Sequence, residues 1–212
     1  MLTIRSFEFS PIQENTYVIY NESKDCIIID PGCYFDEEKE ALVSFIEAEL
    51  LTPRMLLNTH CHLDHVFGNK MLAEKYALTL QLHKNEQAVL EFAPASGLMY
   101  SMPFDNYSGE FIFLNEGDMI RLGEDELKVL LTPGHSPGSL SFYCEKDKFV
   151  ISGDAIFKHS IGRTDLPGGN HDLLIKSIKE NLLMLPDDTK VYSGHGPVTN
   201  IGEERRGNPF LK

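Results

Sequence analysis

The amino-acid sequence predicts an α/β protein in which two β-sheets pack face to face and helices cover their outer faces. Three observations support this fold class. Short apolar or alternating runs typical of strands occur in both halves of the chain, and amphipathic segments with helical spacing lie between them. The 212 residues are 42% hydrophobic, enough for a substantial core, and no linker or internal repeat divides them. We therefore expect one domain over residues 1–212.

Strands and helices follow one another closely in the first half. The predicted strands are residues 2–9, 16–20, 26–29, 54–58 and 79–82. The predicted helices are residues 36–51, 64–76 and 85–92. The first of these helices repeats apolar residues at helical spacing and has acidic residues in its first turn, where the helix dipole favours them. The continuous apolar run at 26–29 is typical of a buried central strand.

The second half is richer in strands. The predicted strands are residues 111–114, 119–122, 126–132, 139–144, 149–152 and 190–193, and one helix is predicted over residues 171–185. Between the halves, residues 93–110 combine Pro and Gly with several large apolar side chains. Such a segment is compatible with a lid or binding loop and equally with a packed surface loop.

Charge and targeting signals exclude several classes of function. The net charge is −13 and no basic tract is present, which argues against nucleic acid as a partner. Residues 1–9 do not resemble a signal peptide, and no apolar run reaches the roughly 20 residues that span a bilayer. The four cysteines lack the spacing of a disulfide framework. We expect a soluble, cytoplasmic protein without a membrane partner.

The stretch Thr59–His65 concentrates potential metal ligands at the end of a predicted strand. His60 and His62 lie two residues apart, so in extended backbone both imidazoles point to the same side and can share a cation. Asp64 and His65 cannot readily join that site and more naturally serve a second cation nearby. Cys61 is interpreted as a small packing residue. The stretch therefore suggests two metal ions.

Polar groups also follow four other predicted strands. Asp30 ends the buried run 26–29, and the later strands run into His135, Asp154 and His195. Glycine lies beside these later residues, where it allows a sharp turn and a close approach of the backbone to a metal.

Taken in order, these strand ends resemble the five motifs of the metallo-β-lactamase superfamily, and the resemblance covers nearly the whole chain. It implies a four-layer αββα sandwich with the site at one edge of the two sheets. By resemblance, His60, His62 and His135 hold the first metal; Asp64, His65 and His195 hold the second; and Asp154 bridges both. The carboxylates Asp64 and Asp154 are the implied catalytic residues. Asp30 would orient a ligand or the loop without binding metal.

The implied cofactor is a pair of divalent metal ions. The nitrogen and oxygen ligands favour zinc, although imidazole also suits iron and carboxylate suits manganese. A hydroxide bridging two cations roughly 3.5–4 Å apart is a nucleophile at neutral pH, and one cation can polarise the substrate carbonyl. This chemistry suits hydrolysis of an ester or thioester.

The segment Ser152–Leu166 is similar to the one that follows the bridging aspartate in glyoxalase II-like hydrolases. The resemblance implies a small thioester substrate such as S-lactoylglutathione and places Arg163 near the glutathione moiety, where arginine can bind a carboxylate. A salt bridge from Arg163 to Asp165 is the alternative. Typical glyoxalase II enzymes add a C-terminal helical region with basic glutathione contacts, and only residues 201–212, with Arg205 and Arg206, stand in its place here.

Two other functions stay open at this point. The segment containing Arg163 also occurs in persulfide dioxygenases, which use a single iron held by two histidines and one aspartate. The third possibility is a non-catalytic binding module stabilised by metal, with residues 93–110 as its contact surface. His83, His159 and His171 match no metal motif and are left outside the ligand set; His171 is expected in the first turn of a helix, and His159 is a candidate for the pocket lining.

Overall fold

The computed structural model describes all 212 residues and contains two six-stranded sheets. The first sheet has the order β1 to β6: β1 (Thr3–Phe9), β2 (Glu14–Tyr20), β3 (Asp25–Ile29), β4 (Thr52–Leu57), β5 (Leu80–Leu82) and β6 (Phe111–Phe113). The second sheet contains β7 (Met119–Leu122), β8 (Asp125–Leu131), β9 (Leu140–Cys144), β10 (Phe149–Gly153), β13 (Lys190–Ser193) and β14 (Thr199–Asn200). A separate two-stranded ribbon consists of β11 (Ile156–Phe157) and β12 (Ser160–Ile161).

Five α-helices lie outside the sheets. They are α1 (Asp36–Ala48), α2 (Asn69–Tyr76), α3 (Gln87–Met99), α4 (His171–Ser177) and α5 (Ile201–Gly207). A wider, π-helical segment, Ile178–Leu182, continues α4, so the predicted helix 171–185 is present with one irregular turn. No helix is both long and apolar enough to cross a membrane.

Three hydrophobic clusters separate the four layers. Along β2, Tyr17 and Ile19 face the cluster between the sheets, whereas Val18 faces the cluster under α1, α2 and α3. Along β10, Ile151 faces the cluster between the sheets, and Val150 faces the third cluster, under α4 and α5. Because side chains alternate along a strand, each central strand contributes to two clusters. The predicted αββα sandwich is confirmed.

Strand directions bring the predicted ligand positions to one edge. In the first sheet, β3, β4 and β5 are parallel, so the residues that follow them emerge on the same side. In the second sheet, β8 and β10 run in one direction, with β9 antiparallel between them, and β13 is parallel to β10. At this edge the two sheets are linked directly, because the Leu140 N–H donates to the Thr59 carbonyl at 2.8 Å.

Two helix predictions were wrong in their bounds. The helix predicted from residue 64 begins at Asn69, because a separate turn (Leu63–His65) holds the ligands and Gly68 precedes the helix. The helix predicted over 85–92 instead runs to Met99 and includes Pro94. Proline removes the N–H that would bond the Leu90 carbonyl. The Asn106 side chain supplies the missing donor at 2.7 Å, so the helix continues past the proline.

The rest of the 93–110 segment is held against the body of the protein. The Phe104 ring packs edge-on against Phe67 with centroids 4.9 Å apart, and Lys70 forms an ion pair with Asp105. The Tyr107 hydroxyl donates to the Glu110 carbonyl at 2.6 Å. These contacts agree with a packed loop after α3.

Candidate metal centre

The predicted ligand residues meet at one edge of the sandwich. Asp30 follows β3, His60 to His65 follow β4, and His135 follows β8. Asp154 follows β10 and His195 follows β13. They line or underlie a cleft of about 530 Å³.

The first group consists of three imidazoles. The His135 Nε2 lies 2.8 Å from the His62 Nδ1 and 3.1 Å from the His60 Nε2. An ion with tetrahedral Zn–N bonds of about 2.0–2.1 Å would hold its ligand nitrogens roughly 3.3 Å apart. The three nitrogens are therefore spaced as ligands of one ion.

The second group combines a carboxylate with two imidazoles. The Asp64 Oδ2 lies 3.2 Å from the His195 Nε2 and 3.7 Å from the His65 Nε2. Their ligand atoms lie within 4.8 Å of one another. This group can hold a second ion, separate from the three-histidine group.

Asp154 lies between the two groups. Its Oδ2 is 3.4 Å from the His135 Nε2 of the first group and 3.6 Å from the His195 Nε2 of the second. Its Oδ1 is 3.5 Å from the His65 Nε2. One carboxylate can therefore serve both groups.

For two of the rings, a hydrogen bond to a backbone carbonyl on the side away from the cleft fixes which nitrogen faces the cleft. The His135 Nδ1 lies 2.7 Å from the Arg163 carbonyl, and the His195 Nδ1 lies 3.0 Å from the Gln13 carbonyl. Because a carbonyl only accepts, each Nδ1 carries the proton and donates it. The Nε2 lone pair of each ring is then directed at the cleft, as a metal ligand requires.

Both carboxylate oxygens of Asp30 accept hydrogen bonds from other residues of the protein. Its Oδ1 accepts from the Thr59 N–H at 2.7 Å and from the Asn58 side chain at 3.2 Å. Its Oδ2 accepts from the Thr59 hydroxyl at 2.5 Å and the His65 Nδ1 at 3.2 Å. Although Asp30 also clusters with His60 and His65, these four donors occupy its oxygens. Its contacts are those of a residue that orients His65.

Buried polar atoms without partners point to bound cations. The His65 Nε2 and the Asp154 Oδ1 are both buried and make no hydrogen bond. Such orphaned atoms are rare in proteins because each costs free energy. A cation between them would satisfy both, so the residues fit divalent metals.

The protonation states also differ between the three-histidine group and the group that contains Asp64. Burial and the neighbouring His135 lower the pKa of His62 to about 4, and burial with the surrounding imidazoles holds the pKa of His60 well below its ordinary value. Both rings are therefore neutral at pH 7, with lone pairs available. Burial alone would raise the pKa of Asp64, but the imidazoles of His65 and His195 more than offset it and keep the carboxyl ionised.

The sequence profile of the metallo-beta-lactamase superfamily matches residues 10–195 of this chain. The chain belongs to the metallo-β-lactamase superfamily. Among curated proteins, it is 39% identical to the probable metallo-hydrolase YqgX of Bacillus subtilis, with 98% of this chain and 96% of that protein covered. It is 34% identical to the hydroxyacylglutathione hydrolase GloC of Haemophilus influenzae, with 99% and 98% covered.

Solved structures agree with this membership. The BLEG-1 B3 metallo-beta-lactamase superimposes with a TM-score of 0.90 at 41% identity, covering 99% of this chain and 100% of that one. The protein TTHA1623, solved in a di-iron-bound form, gives a TM-score of 0.88 at 37% identity, covering 98% and 100%. The metallo-β-lactamase fold binds divalent metals, and the histidine and aspartate groups of this member offer ligands for them.

Sequence reasoning missed Glu86, which ties two ligand loops of this superfamily member together. It is fully buried in a helical turn (Lys84–Glu86) before α3. Its Oε2 accepts from the Cys61 N–H at 2.8 Å, and its Oε1 accepts from the Ser136 hydroxyl and the Gly138 N–H, both at 2.6 Å. Cys61 and Ser136 adjoin ligand histidines. No signal in the polar stretch around Glu86 indicates this role.

Two residues of β2, Asn15 and Tyr17, hold the loop that carries His195. The sequence analysis did not predict this role. The Asn15 side chain donates to the Ser193 carbonyl at 3.0 Å and the Gly196 carbonyl at 2.9 Å. The Tyr17 hydroxyl donates to the Ser193 carbonyl at 2.6 Å. These bonds cross from the first sheet to the second and fix the position of the histidine.

Glycine is required where backbone approaches Asp154. A Cβ at Gly194 would collide with the Asp154 Oδ1, and a Cβ at Gly162 would collide with the Asp154 carbonyl. Gly153 has φ +49° and packs directly against Thr59. The glycines beside the ligands therefore allow the close packing around the centre.

Arg163 lines the cleft and also forms the alternative salt bridge. Its Nε and Nη2 donate to the Asp165 carboxylate at 2.7 and 2.6 Å. Arg205 and Arg206 lie elsewhere, on α5, where Arg206 bonds Asp187 at 3.0 Å. Neither residue lines the cleft.

The remaining histidines and Cys61 stay outside the ligand groups. Cys61 is buried and burial holds the pKa of its thiol well above the ordinary value. His171 begins α4, as expected. His159 lies beside Gly207 of α5 and does not line the cleft, so the interpretation of His159 as a lining residue was wrong.

Proposed function

We propose that this protein is a metal-dependent hydrolase of small thioesters, of the glyoxalase II type. The observation that carries the proposal is the shared carboxylate, because the Asp154 Oδ2 lies within 3.6 Å of nitrogens from both ligand groups. A purely structural site needs one closed set of ligands, whereas two adjoining groups with a common carboxylate suit a pair of ions.

Seven residues are proposed as metal ligands: three in each group, and Asp154 between the groups. The first ion would bind His60, His62 and His135; the second would bind Asp64, His65 and His195; and both would share Asp154. The nitrogen and oxygen set favours zinc, and the di-iron form of TTHA1623 makes iron the next candidate. Manganese is also compatible with the carboxylates.

When bound, the ions would lower the pKa of a water towards neutrality and polarise the substrate carbonyl. The chain's own residues prepare the site for this chemistry. Asp30 orients His65, and backbone carbonyls orient His135 and His195, so that ring nitrogens face the cleft without rearrangement. The buried Asp64 and Asp154 place negative charge beside the reacting atoms and are the proposed catalytic carboxylates.

Thioester specificity rests on the similarity to GloC and on the segment that contains Arg163. The bridge to Asp165 uses one N–H on Nε and one on Nη2, which leaves three of the five guanidinium donors free. Arg163 can therefore bind a carboxylate of the thiol carrier while the bridge holds its side chain in place. We propose Arg163 as a substrate-binding residue on this basis.

The direct test is hydrolysis of S-lactoylglutathione and other acyl thioesters after chelation and restoration of zinc, iron or manganese. We expect turnover that disappears on chelation and returns with metal. The Asp154→Ala variant should lose activity, whereas Asp125→Ala, a buried aspartate at the opposite edge, should keep it.

Three outcomes would overturn the proposal. Absence of hydrolysis with every metal would remove the hydrolase assignment. One iron per chain, with oxygen uptake on glutathione persulfide, would replace it with the dioxygenase. Lost stability in Asp154→Ala without any activity in the parent protein would favour a binding module.

A further inference from the structure

A second pocket adjoins the metal cleft. It has a volume of about 320 Å³, within the range of small-ligand sites. It shares four lining residues with the cleft, and these are His62, Leu63, Ser96 and Leu166. Because His62 belongs to the three-histidine group, the pocket opens beside the proposed reacting atoms.

The lining of this pocket is mostly apolar and contains no acidic side chain, lysine or arginine. One wall is the face of α3 that presents Ala88, Val89 and Phe92. The opposite wall is formed by Pro137 and Leu166. None of its 13 lining residues is Asp, Glu, Lys or Arg. Such a surface stabilises a ligand mainly by removing the apolar atoms of that ligand from water.

The two cavities differ in the chemistry they offer to a substrate. The cleft contains the ligand groups and Arg163, which suit a scissile carbonyl and a carboxylate. The adjoining pocket offers no charged partner, so a polar thiol carrier such as glutathione would lose hydration there without compensation. The apolar part of a thioester is its acyl chain.

We infer that the pocket between α3 on one side and Pro137 and residues 166–168 on the other binds the acyl chain of the substrate and selects apolar acyl groups. This inference rests on the proposed thioester hydrolysis and names the substrate class of that site. Phe92 is 53% exposed, and an acyl chain packed beneath it would cover part of this ring. Short hydroxyacyl groups would leave most of the pocket unfilled.

Two independent series of compounds with increasing chain length test whether the pocket binds an apolar chain. The first series is the kcat/KM of acetyl-, butanoyl-, hexanoyl- and octanoyl-glutathione. The second is the calorimetric affinity of S-butyl-, S-hexyl- and S-octyl-glutathione, thioethers that cannot be hydrolysed. We expect each added methylene to raise both quantities about fourfold until the pocket is full.

Ala88→Phe fills the pocket from an exposed helical position and should abolish the dependence on chain length. Ala95→Phe is the matched control, because Ala95 is exposed on the same helix but lines neither cavity. The control should keep the wild-type dependence. Ala95→Phe should also hydrolyse the acetyl substrate at the wild-type rate.

The outcomes distinguish this inference from the proposed function. Hydrolysis without chain-length dependence, or equal dependence in Ala88→Phe, would overturn the pocket assignment and leave the hydrolase intact. Chain-dependent thioether binding without turnover of any thioester would support the apolar pocket and overturn the hydrolase. Thioether affinities independent of chain length would overturn the inference whatever the activity.

Discussion

The two edges of the β-sandwich neutralise their carboxylates in different ways. At the edge where β3 and β10 begin, Asp25 and Asp125 are each paired with a permanent cation. Arg54 bonds Asp25 at 2.6 Å, and Lys146 bonds Asp125 at the same distance. The cationic side chains are more than half exposed, so solvent compensates their charge.

At the ligand edge, the buried carboxylates have no lysine or arginine partner. Asp30, Asp64 and Asp154 form ion pairs only with histidines. Histidine is cationic only when it binds a proton, and it can instead offer a lone pair to a metal. Negative charge buried among imidazoles therefore requires protons or metal ions, whereas the opposite edge requires neither.

The same strand joins the sheets at both edges, with different consequences. At the ligand edge, Asn15 of β2 bonds the carbonyls of Ser193 and Gly196. At the opposite edge, Asn21, just after β2, bonds the Leu122 carbonyl at 3.1 Å. The hydrogen-bonded framework is thus similar at both edges, but only at the ligand edge does the linked loop carry a proposed metal ligand, His195. Four experiments with substituted proteins test this contrast.

The largest effect is expected for Asp154→Asn. The amide keeps the shape of the side chain but removes the charge shared by the two ligand groups. Loss of a direct ligand should exceed the 10–100-fold typical of supporting residues, so we expect kcat to fall by more than about 100-fold. Metal content and thioester turnover are measured on the same preparation. Wild-type kcat with fewer metals would contradict the shared-carboxylate account.

The next effect is expected for Glu86→Ala. Three buried donors, on Cys61, Ser136 and Gly138, would lose their acceptor. We expect a loss of about 3 kcal/mol in the free energy of unfolding and a 10–100-fold loss in metal affinity. Denaturant unfolding and metal titration measure the two quantities. Glu86→Gln keeps one acceptor oxygen and should lie between the parent and Glu86→Ala; unchanged metal affinity in both variants would exclude the supporting role.

The third prediction compares Asn15 at the ligand edge with Asn21 at the opposite edge. Asn15→Ala and Asn21→Ala should each lower the free energy of unfolding by about 1–3 kcal/mol, because the first removes the side-chain donor to the Gly196 carbonyl and the second removes the donor to the Leu122 carbonyl. Only Asn15→Ala should also lower kcat, by about tenfold, since it releases the loop that carries His195. Steady-state kinetics beside denaturant curves measure both. Equal kinetic losses in the two variants would show that the edges do not differ functionally.

The smallest effect concerns pH at the opposite edge. The hydrogen bond from Lys146 lowers the pKa of Asp125, so this pair stabilises the folded state above the ordinary carboxyl range. The contribution is lost as pH falls from about 4 through the lowered pKa. Asp125→Asn should cost less than about 1 kcal/mol at pH 7, and the difference from wild type should shrink below pH 4. Urea unfolding from pH 3 to 7 measures it; a difference that grows on acidification would contradict the assignment.

The sequence predicted those features of the fold and of the candidate site that depend on local patterns, and it missed those that depend on contacts between distant residues. The spacing of His60 and His62 and the polar residues after strands are local signals, readable without the fold. The alternation of apolar residues predicted both sheets for the same reason. Glu86 bonds a partner that is 25 positions away in the sequence, and Asn15 bonds one that is 181 positions away. No local sequence pattern indicates such distant partners. The extent of α3 was missed because Asn106, beyond the helix, compensates Pro94.

The most direct test of the account is an anomalous-scattering count of metal ions in crystals of the metal-loaded protein. We predict two ions per chain, one among His60, His62 and His135 and the other among Asp64, His65 and His195, with Asp154 contacting both. A single ion, or ions held elsewhere on the chain, would contradict it.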